Sequence, residues 1–230
     1  MRHDWEELAA GVYRTRLPFL DVSVGAVTGD AGLLLIDCGT TLLEAADVAA
    51  DLREMTSRNV THVVMTHHHF DHILGSAGFG DARMYAAPPV SVALTENLDA
   101  VCAEALRYGA DPNAVMRAGQ AVRPPDHSVW QAELDLGGRP VRVVHPGPGH
   151  TDHDLVVVVP GRPTVVFCGD LVEQSAEPAI GEDAEPGAWP ATLDRVLDLG
   201  GDEAVYVPGH GAAVDADFVR QQRDWLRSRF

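Results

Sequence analysis

The chain has 230 residues, of which 46% are apolar, and it carries 34 acidic against 17 basic side chains for a net charge of −17. That length fits one domain, residues 1–230, with an ample core. The acidic balance argues against a nucleic-acid partner, since phosphate binding needs clustered cations. Three cysteines, Cys38, Cys102 and Cys168, form no evident disulfide framework. The N-terminal residues are polar and acidic with no signal-like apolar region, and no run is long enough to span a bilayer, so a cytoplasmic protein without membrane contact is expected.

Residues 11–36 read as a β-meander with a turn at Thr28 to Gly32. Residues 41–58 have helical periodicity, carried by Leu42, Leu43, Ala46, Val48, Ala49, Leu52 and Met55. A short buried strand follows over 59–65. It runs into Thr66-His67-His68-His69-Phe70-Asp71-His72, a pattern H-x-H-x-D-H at the end of a strand, where α/β proteins place their chemistry. Three imidazoles and a carboxylate so close together are hard to explain by packing. If the strand direction persists, His67 and His69 point one way. Asp71 and His72 then turn off to a second point, which suits two metal ions better than one.

Further along, 83–87 reads as a strand and 88–108 as one helix opened by Pro88-Pro89. A proline-rich passage then runs to Asp126. The second half is strand-rich, with helices over 189–199 and 215–229. Three of its apolar runs end in loops that can supply more donors: Gly149-His150-Thr151-Asp152-His153, Cys168-Gly169-Asp170 and Gly209-His210. A glycine before each His or Asp permits the sharp turn that aims a short side chain into a site. His68 alternates away from His67 and reads as a packing or surface residue. His3, His62, His127 and His145 read as structural or solvent-facing, and Cys168 as a buried thiol.

These segments, THHHFDH, GHTDHD, FCGD and PGHG, together with the upstream GDAGLLLIDCGTT, resemble the metallo-β-lactamase fold superfamily in content and order. The resemblance covers nearly the whole chain. It implies an α/β four-layer αββα sandwich with metals at one edge of the two sheets. It assigns His67, His69 and His150 to a first metal, and Asp71, His72 and His210 to a second. Asp170 would bridge both. Asp37 would be a buried acid behind the ligands, and His153 would orient a ligand or serve a local turn.

The donor types suit zinc, with iron or manganese as alternatives. Two such ions can share a bridging water and lower its pKa to about 7. That gives hydrolysis without a covalent acyl-enzyme, with Asp71 also accepting a proton. The expected activity is hydrolysis of a small ester, thioester or lactone.

Within the superfamily, the β-lactamases use Cys or lack a carboxylate ligand where Asp170 stands. Glyoxalase II adds a longer helical extension after its last ligand. The quorum-quenching lactonases have a Tyr shortly after the bridging Asp, where this chain has Leu171-Val172-Glu173. A mononuclear iron persulfide dioxygenase, a β-lactamase and a metal-binding module without catalysis are the competing readings.

The segment 88–125 holds Asn97, Glu104, Arg107, Tyr108 and Arg117 and is a candidate lid, wall or homodimer contact. Arg107 and Tyr108 are the expected contacts to a small-molecule substrate. The loop 173–189 is a second candidate wall.

Overall fold

The structure is a computed structural model that describes residues 2–230. A first sheet has seven strands in chain order: β1 (Glu6–Ala9), β2 (Val12–Arg16), β3 (Ser23–Thr28), β4 (Leu33–Ile36), β5 (His62–Val64), β6 (Arg83–Ala86) and β7 (His127–Ser128). It is antiparallel from β1 to β4 and parallel from β4 to β7. A second sheet has the order β12-β11-β10-β9-β8, built from β8 (Gln131–Asp135), β9 (Pro140–Val144), β10 (Val156–Val159), β11 (Val165–Glu173) and β12 (Val205–His210).

The helices divide by half. Five lie outside the first sheet: α1 (Leu42–Thr56), α2 (Phe70–Ile73), α3 (Pro88–Thr95), α4 (Leu98–Arg107) and α5 (Pro112–Ala121). The second sheet is covered by α6 (Trp189–Gly200) and α7 (Ala216–Arg227).

The central strands show why four layers form. All four residues of β4 are buried, and so are all four of β10. Side chains alternate across a strand. Leu33 and Leu35 therefore pack outward under the helices, while Leu34 and Ile36 pack inward between the sheets. In β10, Val157 and Val159 face the inter-sheet core and Val156 and Val158 face α6 and α7. A strand buried on both faces needs cover on both sides, and the αββα sandwich supplies it. The expected architecture is the one observed.

Two local expectations change. The single helix over 88–108 is two helices, because Asn97 leaves helical geometry with φ −119° and ψ 16°. The two pieces can then seat Val90 and Leu94, and Val101 and Ala105, separately in the core. The passage after Tyr108 holds a helix rather than an irregular loop. Asp111 caps it by accepting from the Ala114 amide, Pro112 occupies its first turn, and Val115 and Ala118 are buried. Its disruptive prolines, Pro124 and Pro125, come only after it ends.

Buried Asp51 on α1 ties down the N-terminal segment. It accepts from the amides of Arg2 (2.5 Å) and His3 (2.9 Å), and from the Trp5 indole (3.4 Å). Burial raises its pKa, but these donors outweigh burial and hold the carboxyl below its usual value. Its contribution is therefore complete above the ordinary carboxylate range and is lost as pH falls through the depressed folded value. Asp51→Ala should lower unfolding free energy by about 2–3 kcal/mol, because it strands buried donors. Urea denaturation checks this, and an unchanged midpoint would refute the role. No described helix is long and apolar enough to cross a membrane.

Candidate metal centre

The seven residues picked out for metal binding converge at one edge of the sandwich. Strand β5 stops at Val64, so His67 and His69 come from the following loop rather than a continued strand, and their rings stand at 81°. Asp71 and His72 lie on the single turn of α2. His150 sits on the loop between β9 and β10. Asp170 lies on β11 and His210 ends β12. His210 also approaches the first sheet through a bridge between Val22 and His210.

Each histidine has one ring nitrogen engaged away from the centre. His69 Nε2–H donates to Asp183 at 3.0 Å, His150 Nδ1–H to the Ala179 carbonyl at 3.1 Å and His210 Nδ1–H to the Leu20 carbonyl at 2.8 Å. His72 Nδ1–H donates to Asp37 at 2.9 Å. Thr66 Oγ1–H is committed to Asp37, so this oxygen accepts from His67 Nδ1–H at 3.0 Å. The neutral tautomers that follow turn five lone pairs inward. His69 Nδ1 lies 3.1 Å from His67 Nε2 and 2.9 Å from His150 Nε2. Three lone pairs at contact distance repel unless a proton or a metal ion stands among them.

Asp170 connects this nest to a second one. Its Oδ2 lies 3.4 Å from His150 Nε2 and 3.3 Å from His210 Nε2, and its Oδ1 lies 3.1 Å from His72 Nε2. Asp71 Oδ2 is 3.5 Å from His210 Nε2. Glycine is required on both sides of this carboxylate. Gly169 takes φ +52°, which breaks the regularity of β11, and a side chain at Gly209 would collide with Asp170 itself. Regular alternation along β11 places Cys168 with Val166 in the core beneath α6 and α7, and the break after it lets Asp170 face the site instead. All three cysteines are free, and burial pushes the Cys38 and Cys168 thiols up.

The histidines differ electrostatically. Burial lowers His67 well below its usual value and His150 to about 4, whereas at His69 burial is outweighed by Asp183 and the pKa is raised. Burial also acts on His72 and His210, but Asp170 and Asp71 outweigh it and raise both, His210 to about 9. Asp170 is held far below the carboxylate range because the surrounding histidines outweigh its burial.

A cavity of about 770 Å³ opens over the centre. The end of α4 forms one wall with Glu104, Arg107 and Tyr108, and the loop residues 179–183 form another. Tyr108 packs on Phe70 at 5.5 Å between ring centroids. Both segments expected near the site therefore line it, whereas Asn97 and Arg117 lie outside the lining.

The sequence profile of the Metallo-beta-lactamase superfamily matches residues 17–210. The chain belongs to that superfamily. Among its relatives, a metallo-beta-lactamase type 2 of Bacillus cereus is 26% identical over 198 residues, covering 85% of this chain and 69% of the relative. A linear primary-alkylsulfatase of a Pseudomonas strain is 22% identical over 230 residues, with 84% and 43% covered. The fold matches the mono-zinc metallo-beta-lactamase FIM-1 of Pseudomonas aeruginosa at TM-score 0.76 and 17% identity, over 99% of this chain and 96% of that one. It matches a metallo-beta-lactamase of Pontibacter korlensis at 0.74 and 20% identity, over 99% and 100%. Members of this superfamily are metal-dependent hydrolases, and this chain is one of them.

The residues of this site fit metal ions on their own geometry. His72 Nε2 and Asp170 Oδ1 are buried with no hydrogen-bond partner, despite their short separation. Buried polar atoms are rarely left so, and coordinated cations would satisfy both. Imidazole and carboxylate donors without thiolate suit zinc, iron or manganese.

Asp37 is buried and bonded to Thr66 and His72. His153 does not orient a ligand. Its ring nitrogens meet Asp152 at 2.7 Å and His68 at 3.1 Å. His68 is partly exposed and lines the cavity. The remaining histidines are structural, among them His3 bonded to Asp51 and His145 bonded to the Asp154 carbonyl.

Three contributors had no individual role assigned from sequence: Leu20, and Glu173 and Asp183 within the candidate wall 173–189. Asp183 fixes the His69 tautomer from a loop 114 residues away. Burial raises its pKa, but His69 outweighs this and holds the carboxyl at about 2. Leu20 acts through its backbone at φ +57°, which side-chain chemistry does not reveal. Glu173 is buried in the cavity lining, and burial raises its carboxyl above the usual value. Its place three residues after Asp170 was the available signal. Asp183→Ala should weaken metal binding at the His67/His69/His150 nest by about 10–100-fold. Chelator competition reads this, and unchanged affinity would remove Asp183 from the site.

Proposed function

We propose that the chain is a dinuclear hydrolase of a small ester, thioester or lactone, using two divalent ions with zinc as the first choice. The observation that carries this reading is the set of five inward lone pairs divided between two nests and joined by Asp170. When bound, such an ion pair supplies a water ionised near neutral pH and a Lewis acid for the substrate carbonyl.

The chain's own residues do the rest. Asp37 and Asp183 hold His72 and His69 in the required tautomers. Asp71 keeps Oδ2 among the ligands, leaving Oδ1 to take a proton during turnover. Arg107 and Tyr108 form the wall against which the substrate rests. No side-chain nucleophile is needed, so Cys38, Cys102 and Cys168 are dispensable. The acidic surface and the cavity of about 770 Å³ over the centre favour a small molecule over nucleic acid as partner.

Zinc-loaded protein assayed on esters, thioesters and lactones should show turnover that a chelator abolishes and zinc restores. No turnover across the panel would count against the reading. Once a good substrate is found, Arg107→Ala and Tyr108→Phe should each raise KM about 3–10-fold with metal content intact, the range expected for one lost contact. Unchanged kinetics in both would exclude this wall from recognition.

The similarity to the Bacillus cereus metallo-beta-lactamase favours a β-lactamase as a second reading. Rapid nitrocefin hydrolysis would support it. A mononuclear iron dioxygenase needs only one of the two nests, and the unpartnered buried atoms His72 Nε2 and Asp170 Oδ1 favour a pair.

A further inference from the structure

The cavity above the metal centre has an acidic rim and an apolar wall, and together they restrict the substrate. Residues 174–188, between β11 and α6, carry Glu177, Glu182, Asp183 and Glu185 and no basic residue. The whole chain contains no lysine, so its 17 basic residues are all arginine. In the lining beyond the ligands, Glu104, Glu173, Glu182 and Asp183 stand against a single cation, Arg107. Arg107 is three residues from Glu104 on the same helix, so the two charges share one face and largely offset each other at a distance. The loop wall opposite has no such offset.

The same cavity exposes apolar surface. Tyr108 is 59% exposed and Ile180 40% exposed, from opposite walls. Leu20 and Phe70 line the space between them and the ligands. Large side chains exposed together beside a centre built for chemistry are a surface that a substrate can cover.

We propose that the site selects uncharged acyl substrates with an apolar arm. It discriminates against substrates that carry a carboxylate or phosphate at a distance from the reacting carbonyl. This rests on the hydrolase reading above and narrows its substrate class. An apolar arm gains burial against Tyr108, Ile180 and Leu20. An anionic arm of the same length would lie among three or four carboxylates, with only Arg107 to pair with.

The test uses zinc-loaded protein and matched probes. The first pair is 4-nitrophenyl butyrate and mono-4-nitrophenyl succinate, which share a leaving group and differ in a distal carboxylate. The neutral ester should have the higher kcat/KM by about tenfold at low salt, the scale of several screened charges at close range. The ratio should shrink as ionic strength rises, and shrink again in Glu104→Gln/Glu182→Gln. An equal or reversed preference, or a ratio indifferent to both salt and the double variant, would overturn the proposal.

The second pair is 6-mercaptohexanol and 6-mercaptohexanoate, titrated calorimetrically, since a thiol can bind the metals without being turned over. Tighter binding of the neutral thiol with the same salt dependence supports charge selection even if no ester is hydrolysed, in which case only the hydrolase reading fails. Equal or tighter binding of the anionic thiol would overturn the selection itself.

Discussion

Asp170→Asn is expected to lower metal content from two ions per chain to one or fewer, and kcat/KM by at least about a thousandfold. Asp170 alone touches both nests, through Oδ2 toward His150 and His210 and through Oδ1 toward His72. An amide keeps the shape but removes the negative charge and one acceptor. Five inward lone pairs would then face two dications with only Asp71 left as a charged donor. Elemental analysis of the purified variant and its kinetics on the best substrate check both parts. Circular dichroism separates site loss from misfolding. Two tightly held ions in this variant would show that Asp170 does not join the sites.

Asp71→Ala is the second large effect. It should leave the His67, His69 and His150 nest able to hold an ion, while turnover falls by about 10²–10⁴-fold, the range for losing a positioned proton acceptor. The second nest loses a donor as well, so the metal content should drop toward one. In the wild type, rate should rise with pH to a plateau with a midpoint near 7, as expected when a coordinated water ionises. A variant with full metal content and undiminished rate would assign both roles elsewhere.

Much of this centre is legible in the chain because metal chemistry demands particular residue types at strand ends. His67, His69, Asp71 and His72 are close in sequence, and His150, Asp170 and His210 are each flagged by a preceding glycine. The layer order came from the resemblance of the motifs, and the structure shows its physical basis in β4 and β10, each buried along its whole length.

What escaped was long-range or backbone-borne. Asp183 sits in an acidic loop and looks like any solvated carboxylate until folding brings it to His69. Leu20 contributes only a carbonyl. The break at Asn97 depends on how two apolar faces seat in the core, which periodicity along a single helix does not encode. His153 follows the motif so closely that a ligand-orienting role looked natural, yet its nitrogens are taken by Asp152 and His68.

The most direct test is a calorimetric zinc titration of metal-free protein, read alongside turnover of the best ester, thioester or lactone. Two nests joined by one carboxylate predict a stoichiometry of two per chain, with activity reaching its maximum only as the second site fills. One tightly bound ion, with no second under saturating zinc and full activity at a ratio of one, would contradict the dinuclear account.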